Sequence, residues 1–167
     1  SSPSRGLGDV YKRQGKKMSN KIIYKGPSLI DGKPIVVIAI VQSRNTKTGN
    51  MVQTYILNDN GKSPLENNKT GLDYSICGNC VHRGNATTDP NRKTAEKRTC
   101  YVNLGQGVLI TWKNYQLGKY ETAAGHAAIA ELGRGRMVRI GTYGDGAAVP
   151  SYTVSYTHLR AHETVMN

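Results

Sequence analysis

Pro34-Ile35-Val36-Val37-Ile38-Ala39-Ile40-Val41 and Met51-Val52-Gln53-Thr54-Tyr55-Ile56-Leu57 stand on either side of Arg44-Asn45-Thr46-Lys47-Thr48-Gly49-Asn50. The first run is β-branched and unbroken, the pattern of a strand covered on both faces. The second is built from the same residue types, and the Asn and Gly between them supply a turn. Together they predict a β-hairpin with a long tip that carries Arg44 and Lys47.

Further along, the periodicity changes. Ser63-Pro64-Leu65-Glu66 predicts a helix start: Ser63 caps, Pro64 suits the first turn and Glu66 completes a capping box. That helix must end before Gly71. Residues 107–117 put Val108, Leu109, Trp112 and Tyr115 at helical intervals, with Gly118 as the stop. The Ala-rich stretch 123–132, followed by Gly133 and Gly135, predicts a second helix. Met137-Val138-Arg139-Ile140-Gly141 predicts a short strand, and Asp145 a cap for a helix from Ala147. The class is therefore α/β (or α+β), with an N-terminal β-hairpin, a metal-braced loop and then helix–helix–strand. No internal repeat is visible.

The two ends read differently from the middle. Ser4-Arg5-Gly6-Leu7-Gly8-Asp9-Val10-Tyr11-Lys12-Arg13-Gln14 can be encoded by a codon string whose reverse complement, entered at its third base, encodes Val154-Ser155-Tyr156-Thr157-His158-Leu159-Arg160-Ala161-His162-Glu163. Unrelated segments do not share an inverted string of this length, and this one resembles the transposon-end adapter of sequencing libraries. Residues 1–17 and 154–167 are accordingly set aside as non-native. Residues 18–153 are read as one α/β domain fragment, with Met18 as the start candidate and a larger α/β domain cut near Thr153. Without the flanks, 17 basic and 9 acidic residues remain, and the formal charge falls from +12 to +8.

Residues 18–153 are numerous enough for one modest core. No apolar run approaches the roughly 18–20 residues that span a bilayer, and nothing resembles a signal peptide. A soluble protein of the bacterial host cytoplasm is expected, with no membrane partner. The basic excess favours a polyanion such as DNA or RNA, although a merely solvated basic face has the same composition. The chain has three cysteines. An odd number cannot close a disulfide set and in a reducing compartment points toward metal.

Cys77-Gly78-Asn79-Cys80 is a CxxC knuckle whose Gly permits the turn that aims two sulfurs at one ion. Cys100 follows at a distance typical of the two halves of a zinc site. His82 is the nearest fourth ligand, giving a Cys3His site; His126, a water or a residue beyond Thr153 are the alternatives. The polar, aperiodic stretch 74–100 lacks an oily face of its own, and bound metal would order it. Zinc is the expected cofactor, with three reduced thiols that hold no metal as the plainer alternative. An iron–sulfur cluster uses similar chemistry, but the compact Cys-x3-Cys-x2-Cys spacing of radical S-adenosylmethionine enzymes is absent.

Shared metal ligation would draw Arg83 toward Arg98. With Arg92, Lys93 and Lys97 these make a basic loop suited to phosphate contacts, or one that only keeps the segment solvated. Asn103-Leu104-Gly105-Gln106-Gly107 opens the Trp112 helix, where backbone amides can bind an anion; it lacks the lysine and spacing of a P-loop, and two glycines there also suit a plain turn. Trp112, Tyr115 and Tyr120 could stack on bases, but helical spacing makes the first two core residues. Asp145 follows a strand, where α/β proteins build sites, with no second carboxylate or histidine beside it to define a reaction.

Ser28-Leu29-Ile30-Asp31-Gly32-Lys33-Pro34-Ile35-Val36, Asn45-Thr46-Lys47-Thr48-Gly49, Cys77-Gly78-Asn79-Cys80-Val81-His82-Arg83-Gly84, Thr99-Cys100-Tyr101-Val102-Asn103-Leu104-Gly105-Gln106 and Tyr143-Gly144-Asp145-Gly146-Ala147-Ala148-Val149-Pro150 together resemble a family of uncharacterised phage and prophage proteins. Members of that family usually have Pro where Gly146 stands here. They continue into further strand–helix alternation and another cysteine-rich segment, so the resemblance implies a phage context and a longer parent. Three functions are compatible with the sequence. One is a zinc-stabilised phage protein that binds nucleic acid through the basic loop. Another is the N-terminal part of an iron–sulfur, radical S-adenosylmethionine-like enzyme. The third is a module that binds a host protein.

Overall fold

The computed structural model describes residues 19–42 and 51–153. The hairpin tip with Arg44 and Lys47, and the end segments 1–17 and 154–167, lie outside the described residues. Among the described residues, five strands form one mixed sheet: β1 (Lys21–Pro27), β2 (Pro34–Gln42), β3 (Met51–Asn58), β4 (Glu121–Thr122) and β5 (Met137–Tyr143), in the spatial order β4-β1-β2-β3-β5. Among the described residues it is accompanied by α1 (Pro64–Thr70), α2 (Tyr74–Cys77), α3 (Gly107–Gln116) and α4 (His126–Gly133), and residues 151–153 are also helical. Single 3-10 turns lie at Val81–Arg83 and Gly146–Ala148. A mixed sheet with helices is the expected α/β or α+β class.

β2 and β3 pair antiparallel from Ile35↔Asn58 to Gln42↔Met51, the hairpin that the two apolar runs predict. β2 is the middle strand, and Ile35, Val36, Val37, Ile38 and Ala39 are all buried. An unbroken apolar run is thus explained by cover on both faces. β1 was not expected. It pairs antiparallel with β2, with a bulge between Ile22 and Tyr24, and turns through Ser28 to Lys33. Its lysines and its Gly26-Pro27 end disguise the strand in sequence, although the Asp31-Gly32 turn pair was a usable signal.

The helix signals translate closely. The Ser63 side chain accepts from the Glu66 amide, Pro64 opens α1, and Gly71 ends it at φ +81°. α3 and α4 fall within two or three residues of their predicted bounds, and Trp112, Tyr115 and Tyr120 pack against the core. Asp145 does cap, accepting from the Ala147 amide at 2.9 Å, but it starts one 3-10 turn at Gly146 and not a longer helix.

The cysteine knuckle and the basic loop

Cys77 closes α2, and Gly78 (φ +60°) turns the chain out of the helix so that Cys80 leads into the Val81–Arg83 turn. The chain then runs away through residues 85–96 and comes back. Asn85 and Glu96 form a two-way backbone bridge, at 2.7 and 2.8 Å. Thr99 and Cys100 both donate their amides to the His82 carbonyl, each at 3.1 Å. Cys100 therefore returns to the main chain beside Cys80, despite 19 intervening residues of sequence. The His82 ring joins the same junction, its Nδ1 lying 2.8 Å from Thr99 Oγ1.

All three cysteines are free thiols, Cys80 exposed and the other two half-buried. Burial pushes the Cys77 thiol up to about 12, with Asp73 adding to the shift, Arg83 opposing it, and Cys100 and Cys80 contributing last. Cys77 thus lies near the Asp73 carboxylate, the Arg83 guanidinium and both other thiols. Among the described residues, no group of three or more His, Cys, Asp or Glu side chains is arranged to hold a metal ion. The backbone assembles the knuckle; the side chains are not closed into a ligand set. His126, the other candidate, opens α4 and stacks its ring 5.2 Å from that of Tyr152.

Part of the order in this loop has a source that the sequence reading did not identify. Asn68, 2% exposed, donates to Asp73 Oδ2 at 2.9 Å and to the Arg83 carbonyl at 3.0 Å, and accepts from the Ala95 amide at 2.8 Å. Arg83 meets Asp73 Oδ1 through Nε at 3.0 Å and Nη2 at 2.6 Å. It also donates to the Gly78 and Gly71 carbonyls at 2.8 and 2.9 Å. A buried carboxylate is tolerated only when paired and hydrogen-bonded in this way. The signal in sequence was a pair of asparagines, Asn67-Asn68, inside a helix where asparagine is a poor former.

The five basic residues divide into two groups. Arg83 is held as described, and Arg98 donates to the Cys100 and Val102 carbonyls at 3.2 and 2.7 Å. These two guanidinium groups brace the loop from inside, which leaves them poorly placed for the phosphate contact expected of them. Arg92, Lys93 and Lys97 are exposed, with Arg92 reaching the Ala95 carbonyl at 3.1 Å. Lys97 adopts φ +56°, unusual for a side chain other than Gly or Asn.

Behind the knuckle lies Tyr143, only 4% exposed. Its hydroxyl has no hydrogen-bond partner among the described residues. Burial raises its phenol well above the ordinary value, and the nearby Cys77 and Asp73 add to the effect. The turn that follows β5 is tied to the cysteine helix directly, since the Asp145 amide donates to the Ile76 carbonyl at 2.6 Å. That contact, together with the cap on Ala147, gives Asp145 a structural role.

Compared with known proteins, the chain matches no family model, no curated protein and no solved structure. Among the described residues, no helix is long and apolar enough to cross a membrane.

Proposed function

We propose that this is a phage-encoded protein in which Cys77, Cys80 and Cys100 take up one zinc ion, and that the loop so braced presents Arg92, Lys93 and Lys97 to nucleic-acid phosphates. The observation that carries the reading is the double hydrogen bond from Thr99 and Cys100 to the His82 carbonyl, which brings the third cysteine back to the knuckle. Cys80 is exposed, so a modest side-chain rotation can turn its sulfur inward. The donor set suits a structural zinc, which favours thiolates and tetrahedral closure at about 2.3 Å from sulfur. A cation would also offset the burial that chiefly keeps the Cys77 thiol protonated. His82 is the fourth ligand in this reading: Nδ1 is occupied by Thr99, leaving Nε2, and ligating histidines are commonly fixed through their other nitrogen. The phage context rests on the resemblance of the CGNCVHRG, TCYVNLGQ and YGDGAAVP segments.

Two measurements test the proposal. Elemental mass spectrometry of the purified chain should find about one zinc per molecule, lost in Cys77→Ser or Cys100→Ser. A brown, iron-containing protein after anaerobic purification would replace zinc with the iron–sulfur reading. Nucleic-acid affinity measured against salt should give a slope of roughly −3 on duplex DNA, for three phosphate contacts at about −0.9 each. Lys93→Gln and Lys97→Gln should each reduce that slope by about one. Absence of binding at low salt ends the nucleic-acid part, and a specific protein partner in its place would identify a host-interaction module.

A further inference from the structure

A second feature lies beside the cysteine loop, just past Cys100. A cleft of about 210 Å³ opens at the start of α3, between that helix and the sheet edge formed by β5. Tyr55, Tyr101, Asn103, Gln106, Arg139 and Thr142 supply its polar lining, and no Asp or Glu is among the described residues around it. Arg139 Nη2 donates to the Tyr101 hydroxyl at 2.7 Å, and its guanidinium stands 5.9 Å from the centre of the Tyr101 ring. Both side chains are exposed, Tyr101 by 79%.

Three observations show that the cleft is constructed. In a regular strand, residues three apart face opposite sides, yet Arg139 and Thr142 line the same cleft. The pairing of β3 with β5 jumps from Gln53↔Arg139 to Tyr55↔Tyr143, leaving extra residues bulged out of β5. Thr54 Oγ1 holds this bulge, donating to the Arg139 carbonyl and accepting from the Gly141 amide. Gly141 makes the bend at φ +68°, and a Cβ there would meet the Gly144 carbonyl oxygen at 2.5 Å. Bulges of this kind re-aim side chains beside binding sites. Next, α3 enters the cleft with Gln106 at its N-cap and no side-chain capping bond, so its first-turn amides carry the positive end of the helix dipole uncompensated by the cap. Gly107 lets this backbone come close, since a Cβ on it would lie 3.3 Å from the Tyr55 hydroxyl. Finally, the Thr142 hydroxyl oxygen is buried in the wall and finds no partner among the described residues. Such a group is costly to leave unsatisfied.

A fixed cation, a helix N-terminus, an orphan hydroxyl and the lack of a carboxylate in the lining describe an anion site. We infer that this cleft binds a phosphate monoester, with Arg139 and the first amides of α3 on the phosphate, the buried Thr142 hydroxyl turning out of the wall to donate to it, and the exposed Tyr101 ring available to stack on an attached base. The cleft is smaller than the roughly 300–1,000 Å³ of pockets for drug-sized ligands, which fits a terminal group better than a whole ligand. A monoester dianion also matches the concentration of donors better than the single charge of a diester. The phosphate can come from a free nucleotide or from the 5′ end of a nucleic acid.

The full chain should be titrated with inorganic phosphate and AMP by calorimetry. A 3′-labelled oligothymidine bearing a 5′-phosphate, and its 5′-hydroxyl twin, should be titrated by anisotropy. At least one phosphate-bearing probe should bind, and R139Q should weaken it about tenfold while leaving the 5′-hydroxyl twin unchanged. T142V should weaken the same probe about threefold and raise the unfolding midpoint, because it removes a buried hydroxyl without a partner; a merely structural Thr142 would not move the two readouts in opposite directions. AMP binding identifies the free nucleotide as the source, and a preference confined to the 5′-phosphorylated strand identifies the nucleic-acid end. The inference is overturned if no phosphate-bearing probe binds better than its phosphate-free counterpart, or if R139Q, folded by its midpoint, binds as the parent does. K93Q and K97Q should lower the affinity of both oligonucleotides equally, so failure of the basic loop is read separately from failure of the cleft.

Discussion

Arg83 shows how one side chain can look like a ligand contact in sequence and act as internal bracing. Its position two residues beyond a knuckle cysteine's neighbour, in a basic stretch, suggests a phosphate contact. Its guanidinium instead satisfies the carboxylate of Asp73, which is 2% exposed, and two backbone carbonyls. Removing one partner of a buried pair leaves the other charge without compensation, at a cost of about 3–5 kcal/mol. Arg83→Ala should therefore lower stability by about that amount in denaturant titration, whereas Lys93→Ala should stay within about 0.5 kcal/mol of the parent. Equal, small effects for both would mean that the Asp73 pairing contributes little. Charge alone cannot make this distinction from sequence, because the partner that decides it lies ten residues upstream.

Among the elements, the return strand of the cysteine loop depends on Gly84. It sits at φ +83°, and a Cβ there would collide with the Glu96 carbonyl oxygen and lie 2.8 Å from the Arg98 amide. Gly84→Ala should cost about 1–3 kcal/mol through the left-handed backbone and the displaced neighbour. It should also release Cys100 from the His82 carbonyl, seen as faster alkylation of Cys100. Unchanged stability and unchanged alkylation would remove Gly84 from the argument. Element by element, the sequence was most informative where one periodicity dominates. The β2–β3 hairpin, α1 with its cap and stop, α3, α4 and the start of β5 all follow from local patterning. What it hid were features made by distant partners. β1 is stabilised by pairing with β2 despite its lysines, β4 is two residues long, and the Asn68–Asp73–Arg83 hub joins three segments that share no local pattern. At the site, the three cysteines were legible, and Cys100 does return to the His82 main chain without a ligand set closed among the described residues; the division of basic residues into inner and outer groups was not legible.

At the scale of the whole molecule, the first half of the chain builds the centre of the sheet and the second half supplies both edges, β4 beside β1 and β5 beside β3. A half-buried thiol and a buried phenol connect this architecture to pH. The Cys77 thiol is pushed up to about 12 and the Tyr143 phenol well above its usual value, both chiefly by burial. In an unfolded chain these groups ionise near 8.5 and 10. Above those values the folded, metal-free chain binds more protons than the unfolded one, so its stability falls as pH rises. Unfolding midpoints in EDTA should decline from pH 8 to pH 11, and Cys77→Ser should flatten the early part of that decline; a flat profile in the parent chain would contradict the burial of both groups. The turn after β5 ties the two halves together. Its Asp145 amide grips the Ile76 carbonyl, and its Ala148 carbonyl accepts from the Leu29 amide at 2.9 Å. Three distant segments, around Leu29, Ile76 and residues 145–148, are thereby fastened at a single buckle, and a chain that stopped at residue 144 would unclasp the first hairpin and the sulfur-bearing helix in one stroke.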